Sequence, residues 1–363
     1  MVLRKALCFG YNVKNNAIFS ESYMWDGILM LIYVVLFVLS WGLTWRLRSH
    51  ALKKEILDIP NHRSSHTLPT PQGGGLVFVG CFLSFLIVLR MQHVIEILFF
   101  ISFMSAGLMV AVLGFLDDRY GMPSYWRLLG HFIAAAIMIY GVQGLTVLTL
   151  FSWTMTAGTM LNVLTLFYLV WLLNLYNFMD GIDGIAGVEL ISVCLGAIAL
   201  YWVSGHAELI LLPLLLLIPV AGFLCWNFPS ARIFMGDVGS GFLGLMLGAF
   251  SIQAARVDEH FFWSWLILLG VFIVDATFTL FRRLFRGCKI YEAHRTHAYQ
   301  HAAQQRGKHY PVVFGVLFIN ILWLFPLAML VGLGYLPHME GLLLAYLPLI
   351  ILPIKFKAGA VST

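Results

Sequence analysis

The chain has 363 residues, of which 61% are hydrophobic and only 11% charged, with a formal net charge of +5. A soluble domain averages about 25% charged residues, so this composition excludes an ordinary soluble enzyme. The positive charge collects in a few loops between apolar segments. It is therefore explained by membrane topology and does not predict nucleic-acid binding.

Apolar runs of about 20 residues recur along the chain, and each is long enough to cross the bilayer as a helix. This pattern predicts an all-α polytopic integral membrane protein. Eleven transmembrane helices are expected at 25–45, 74–92, 95–116, 127–144, 159–177, 185–204, 207–227, 239–256, 261–281, 312–334 and 340–355. The short Thr-rich segment 145–158 predicts a small hairpin or an interfacial segment.

Most of the Lys and Arg residues lie on one side of these helices, which predicts that this side is cytoplasmic. The N-terminus is then outside and the C-terminus inside. Residues 1–23 are polar and lack the continuous apolar core of a cleaved signal peptide, so they are interpreted as an N-terminal extension. Residues 24–363 are expected to form a single transmembrane domain.

Polar clusters also follow this sidedness. All of them fall on the predicted cytoplasmic face, at 58–75, 117–127, 174–184, 227–241 and 282–301. Ordinary solvated turns would be shared between both faces. The distribution therefore predicts one site that faces the cytoplasm.

The acidic residues of these clusters lie at predicted helix ends: Asp117, Asp118, Asp180, Asp183 and Asp237, with Asn174 and Asn177 beside them. Converging carboxylates repel one another, and a hard divalent cation relieves that repulsion. Mg²⁺ uses one or two carboxylates and completes its shell with water and phosphate oxygens. The basic loop at 282–301 supplies a clamp for phosphate. Together these features predict phosphoryl transfer from a soluble diphosphate.

Each cluster alone has a structural explanation. Asp117 and Asp118 could form a solvated helix cap, DGIDG a tight turn, and Asp237 the N-cap of the eighth helix. One further acid, Asp275, lies within the ninth predicted helix, where it would face a polar cavity or pair with Arg282 or Arg283. The shared side of the clusters and the His–Arg loop favour a site.

At the level of motifs, NFMDGIDGIAG, FMGDVGS, the DD pair and HRTHAYQH resemble the polyprenyl-phosphate N-acetylhexosamine-1-phosphate transferase family (glycosyltransferase family 4). The resemblance runs from about residue 25 to the C-terminus. PNHRSSHTLPTPQGGG, AGVE and HRTHAYQH look most like bacterial enzymes that initiate O-antigen or other surface polysaccharide synthesis.

This resemblance implies transfer of N-acetylhexosamine-1-phosphate from a UDP-sugar to undecaprenyl phosphate, releasing UMP. It implies Mg²⁺ as cofactor, with Mn²⁺ as the alternative, and a bacterial inner-membrane enzyme whose active site faces the cytoplasm. A 6-deoxy-N-acetylhexosamine or N-acetylglucosamine is the expected sugar. The resemblance also allows a homodimer.

By the same resemblance, Asp237 binds the metal and Asn177 is its co-ligand. Asp117 and Asp118 act on the lipid phosphate, and Asp180 is a catalytic acid of the motif.

The substrate-binding residues implied by the family pattern are Phe234, which stacks on uracil, and Asp183, which recognises its edge. The loop residues expected to contact the diphosphate and sugar are His294, Arg295 and His297. The acidic and basic clusters themselves add three predicted substrate-binding residues: Asn174, Arg282 and His301.

The chain departs from the family pattern in ways that argue against a peptidoglycan role. Ser64 replaces a lysine of the first inner loop, and Arg119 follows the DD pair where peptidoglycan-precursor enzymes carry a nearby lysine. The multi-histidine run of those enzymes is also missing from HRTHAYQH.

Two other functions compete with the enzyme. A transporter or flippase of lipid-linked sugars would place acids near the midplane, often in repeated halves. A non-catalytic scaffold would not need clustered acids, asparagines and histidines. The one-sided cluster favours the enzyme.

Overall fold

The computed structural model describes residues 18–60, 68–288 and 295–360, and within them the chain is predominantly helical. The helices are α1 (Ile18–Lys53), α2 (Gly75–Met91), α3 (Ile97–Tyr120), α4 (Ser124–Val142), α5 (Thr159–Met179), α6 (Ile185–Ser204), α7 (Leu211–Asn227), α8 (Asp237–Ala255), α9 (Glu259–Leu268), α10 (Gly270–Phe285), α11 (Ala298–Arg306), α12 (Tyr310–Ile319), α13 (Phe325–Gly332) and α14 (His338–Lys355). A 3₁₀ turn at Ala207–Leu209 precedes α7.

In the described segments, two small antiparallel strand pairs accompany the helices. Strands β3 (Val147–Leu150) and β4 (Trp153–Thr156) form a hairpin, which is the first of the two alternatives predicted for the Thr-rich segment. Strands β1 (Leu57–Asp58) and β2 (Thr70–Pro71) close the first inner loop and were not predicted. Ser64 lies between them, outside the described residues.

Among the described residues, nine helices are long and apolar enough to cross a membrane. The other two predicted spans correspond to α2, an apolar helix of 17 residues, and to the pair α9 and α10, which is bent by 69°. Each predicted span thus has a helical counterpart, in agreement with a polytopic membrane protein. The number of crossings and the orientation remain predictions.

The structure interrupts two spans that the sequence predicted as continuous. The ninth breaks at Leu269, where the direction of the chain turns between α9 and α10. The tenth contains a π-helical turn, Asn320–Leu324, directly before Pro326 in the first turn of α13. Proline has no N–H to donate to the preceding turn, which accounts for the widened turn there.

Helix α8 is the centre of the bundle. Nearly all of its residues are buried, and it packs against α2, α3, α4, α5 and α9. At Gly244 an added Cβ would lie 2.7 Å from the backbone of Leu172 and Leu173, so only glycine allows α5 to approach this closely. Because α8 begins at Asp237, the last residue of the motif FMGD, the first turn of the central helix lies at the predicted cytoplasmic face.

Candidate active site

The first turn of α4 brings a cation between two of the predicted acids. Arg127 Nη1 contacts both Asp117 Oδ2 and Asp237 Oδ2, the latter at 3.1 Å. Asp117 is fixed further by Met122, whose backbone N–H donates to Oδ1 at 2.7 Å. Although 110 residues separate Arg127 from Asp237, the fold joins α3, α4 and α8 through this one guanidinium.

Asp118 holds the beginning of α8. Its carboxylate accepts from the backbone N–H groups of Asp237 at 3.1 Å and Val238 at 3.5 Å, and from Gln72 Nε2 at 2.7 Å. Gly236 makes the approach possible, because its φ is +77° and an added Cβ would lie 2.4 Å from Asp118 Oδ2. The carboxyl group that holds this helix end is therefore that of Asp118, and the solvated-cap and Asp237-cap explanations are both wrong.

Helix α5 places the asparagine of the motif beside the acid at the start of α8. Asn177 Nδ2 donates to Ser240 Oγ at 2.9 Å, and its side chain also lies near Asp237. Three residues later, Asp180 follows the end of α5. Burial, followed by the charges of Asp237 and Asp118, raises the pKa of Asp180 well above its usual range.

The donor set of this cluster fits one hard cation with few protein ligands. In the described part of the chain no three His, Cys, Asp or Glu side chains are arranged around a common metal position. Mg²⁺ does not need such a cage, since one or two protein oxygens, water and phosphate oxygens complete its shell. Asp237 and the amide of Asn177 suit it, and a cation there would relieve the crowding of the neighbouring carboxylates.

The predicted uridine-binding residues lie on the next two loops. Asp183 Oδ2 accepts from the backbone N–H of Ala231 at 3.1 Å, and Oδ1 lies 3.1 Å from His309 Nδ1. Three residues after Ala231, Phe234 is half-buried, and its backbone N–H donates to the Pro71 carbonyl in β2 at 2.8 Å. The fold thus joins the DGIDG loop to the loop that carries Phe234.

Asp275 anchors the histidine-rich segment from within α10. Its carboxylate accepts from the backbone N–H groups of Ala298 at 2.9 Å and Tyr299 at 3.0 Å, the first two residues of α11. His297 Nδ1 lies 3.5 Å away, and this histidine is almost fully buried as the cap of α11. Arg282, one of the partners considered for Asp275, donates instead to the Ala358 carbonyl at 2.9 Å.

These contacts predict that Asp275 positions α11. Replacing Asp275 by Ala would leave two buried amides without an acceptor, at a cost of about 1–3 kcal/mol each. We expect a lower midpoint of thermal unfolding and a larger KM for the soluble substrate, while Asp275→Asn, which keeps one acceptor oxygen, should be intermediate. Unchanged unfolding of the alanine variant would contradict the role.

Four predicted site residues remain, one in α5 and three in the histidine-rich segment. Asn174 donates to the Val170 carbonyl of its own helix at 2.7 Å, and its side chain also lies near His131. His294 lies outside the described residues, and Arg295 is the first residue of the next described segment. Burial lowers the pKa of His301 below its usual value, which favours the neutral imidazole.

The sequence analysis did not predict four residues of this region as site residues: Gln72, Arg127, Asp275 and His309. Their contacts join segments far apart in the chain. The available signal for Arg127 was a basic residue at the start of a span, ten positions after Asp117. Such a residue is also what membrane topology alone predicts, so the pattern could not distinguish the two.

Comparison with known proteins places this cluster in a family context. Residues 100–255, which include the acids from Asp117 to Asp237, match the family model described as glycosyl transferase family 4. A probable undecaprenyl-phosphate N-acetylglucosaminyl 1-phosphate transferase of Bacillus subtilis is 30% identical over 247 residues, covering 64% of this chain and 66% of that protein.

Two further groups of relatives show similar identity. A decaprenyl-phosphate N-acetylglucosaminephosphotransferase of Mycolicibacterium smegmatis is 26% identical over 246 residues, covering 62% of this chain and 60% of that protein. A phospho-N-acetylmuramoyl-pentapeptide-transferase of Streptococcus pyogenes is 29% identical over 235 residues, covering 61% of this chain and 68% of that protein. The match thus spans about 60% of the length of the mycobacterial relative. The matched family model and these relatives show that the chain belongs to the polyprenyl-phosphate hexosamine-1-phosphate transferase family.

Proposed function

We propose that this protein transfers N-acetylhexosamine-1-phosphate from a UDP-sugar to undecaprenyl phosphate, giving a polyprenyl-diphospho-sugar and UMP. One observation carries the proposal: Arg127 joins Asp117 and Asp237, while Asp118 and Asp180 crowd the same helix end. A cluster of acids that contacts the Arg127 guanidinium suits a reaction whose charge develops on phosphate oxygens.

The bond changes assign a task to each part of the site. An oxygen of the acceptor phosphate forms a bond to the β-phosphorus of the UDP-sugar, and the bond from that phosphorus to the bridging oxygen breaks, so that UMP leaves. Asp237 and Asn177 would hold Mg²⁺, which neutralises charge on the diphosphate when bound. Arg127 stabilises the charge that accumulates on the phosphate oxygens, and Asp118 fixes the start of α8 on which Asp237 stands.

The two ends of the donor occupy different loops in this proposal. Asp183 and Phe234 lie on adjoining loops and would bind uracil by hydrogen bonding and stacking. Asp275 holds the start of α11, which would direct the basic residues before this helix, such as Arg295, to the diphosphate and the sugar. The active site would face the cytoplasm, where UDP-sugars are found, and the product would initiate O-antigen or another surface polysaccharide.

For the acceptor side, Asp117 and Asp118 are proposed to act on the lipid phosphate. Asp117→Asn should lower kcat and raise the KM for undecaprenyl phosphate while leaving the KM for the UDP-sugar unchanged. Asp118→Asn should do the same and also lower thermal stability, because only Asp118 holds the amides of α8. A change confined to the KM of the UDP-sugar would contradict the acceptor role.

The identity of the sugar is tested by UMP release from a panel of UDP-sugars with purified protein and undecaprenyl phosphate. We expect an N-acetylhexosamine to give the highest kcat/KM, either a 6-deoxy sugar such as N-acetylfucosamine or N-acetylquinovosamine, or N-acetylglucosamine. A site that hydrogen-bonds an acetamido group should reject UDP-glucose and UDP-galactose by orders of magnitude. Equal rates with the acetamido and hydroxyl sugars would contradict the proposed substrate class.

A further inference from the structure

A groove lies between α1 and α2, on the outer surface of the helix bundle. Its volume is about 680 Å³, and its walls are almost entirely apolar. On α1 the lining residues recur at helical spacing from Leu36 through Leu39 and Leu43, and Arg46 and His50 follow at one end. The groove is therefore apolar along its length and basic at the face of the bundle where the acidic cluster lies.

The dimensions match one leaflet of a bilayer. From Leu36 to Arg46 the helix rises about 15 Å, at about 1.5 Å per residue. Half of the hydrocarbon core is also about 15 Å thick. An acyl chain seated against Leu36, Leu39 and Leu43 would therefore bring its phosphate to the level of Arg46 and His50, both of which are exposed.

Helix α2 separates this groove from the acidic cluster. One face of α2 packs on α8, with the rings of Phe82 and Phe242 5.8 Å apart, and the N–H of Gly75 donates to the Met235 carbonyl at 2.9 Å. The other face, including Gly80 and Ser84, lines the groove. A helix is about 10 Å wide, so a phosphate beside Arg46 would not be in line for transfer at Asp237.

We infer that the α1–α2 groove binds an anionic phospholipid of the bilayer, with its phosphate on Arg46 and His50 and one acyl chain along the leucines of α1. Basic pockets between transmembrane helices on the cytoplasmic side commonly hold anionic head groups. This ligand is distinct from the acceptor lipid, and the inference does not depend on the transfer reaction proposed above.

Two glycines offer a matched pair of variants. Gly80 lines the groove, Gly42 lies on α1 outside its lining, and an added Cβ at either meets no atom within 4 Å. Gly80→Leu should fill the groove without a clash, and Gly42→Leu adds the same side chain where no lipid is proposed. Ser84 also lines the groove, so Ser84→Leu is a second variant that should fill the groove if Gly80→Leu folds poorly.

The experiment is native mass spectrometry of the purified full-length protein titrated with phosphatidylglycerol or with phosphatidylcholine of the same acyl chains. We expect tighter binding of phosphatidylglycerol, a loss of that binding in Gly80→Leu or Ser84→Leu, and no change in Gly42→Leu. Arg46→Gln should weaken the binding of phosphatidylglycerol about fivefold and leave the binding of phosphatidylcholine unchanged.

Two results would overturn the inference. Equal affinity for the two phospholipids in the unmodified protein would show that the basic end does not select an anion. Displacement of phosphatidylglycerol from the unmodified protein by an equal concentration of undecaprenyl phosphate, together with loss of undecaprenyl-phosphate binding in Gly80→Leu, would assign the groove to the acceptor instead.

Discussion

Asp237→Asn is expected to lower kcat for UMP release by at least about 10³-fold, the largest effect of any single substitution at the site. Asp237 is the predicted metal ligand, begins the central helix α8, contacts Arg127 at 3.1 Å and lies beside Asn177. The asparagine keeps the size of the side chain but removes the charge that would hold a cation. The protein should remain folded and inserted, because Asp118, and not Asp237, holds the amides of α8.

A matched control is Asp258→Asn. Asp258 is also an aspartate at a helix start, capping α9 through the N–H of His260 at 2.9 Å, but it takes no part in the acidic cluster. This variant should retain near-normal kcat. The Mg²⁺ dependence of both variants should be measured together with size-exclusion profiles. Near-normal turnover of Asp237→Asn with unchanged metal dependence would contradict the assignment.

Arg127→Gln is expected to lower kcat by about 10²- to 10³-fold, the range seen when one preorganised charge is removed from the stabilisation of a transition state. Arg127 is the guanidinium that contacts both Asp117 and Asp237. Its removal also leaves these two carboxylates facing each other without a shared cation. Arg127→Lys keeps the charge but not the planar fork that binds two oxygens, so its kcat should lie between those of Arg127→Gln and the unmodified protein.

The control for this substitution is Arg256→Gln. Arg256 is bound by the Gln143 side chain at 2.8 Å, at the end of α8 opposite Asp237. It should leave kcat unchanged. If Arg127→Gln and Arg256→Gln have the same small effect, Arg127 is only a structural ion pair and takes no part in the transfer.

How much of this fold could be predicted depends on the range of the interactions. Long apolar runs predict helices because a backbone in lipid must pair its own hydrogen-bonding groups, and these predictions need only local sequence. The bend at Leu269 has only Gly270 as a local signal, since the residues next to the break on both sides are apolar. The two-residue strands β1 and β2 are likewise too short to produce an alternating pattern.

The site shows the same division. The acids of DGIDG and FMGD stand out because carboxylates beside an apolar run are rare, and the fold brings Asp180 close enough to Asp237 and Asp118 for their charges to raise its pKa. The contact of Arg127 with Asp237 spans 110 residues and depends on how α4 packs against α8. The hold of Asp275 on α11 similarly depends on the turn between α9 and α10, which the sequence did not predict.

The central claim is that a sugar phosphate, and not a sugar, moves to the lipid. It is tested most directly with a UDP-N-acetylhexosamine labelled with ³²P at the β-phosphorus, incubated with purified protein, Mg²⁺ and undecaprenyl phosphate. The label should appear in the butanol-extractable lipid together with an equal amount of unlabelled UMP, and Asp237→Asn should give neither. Label that remains in the aqueous phase as UDP, or in intact UDP-sugar while the protein binds its substrates normally, would contradict the proposed reaction.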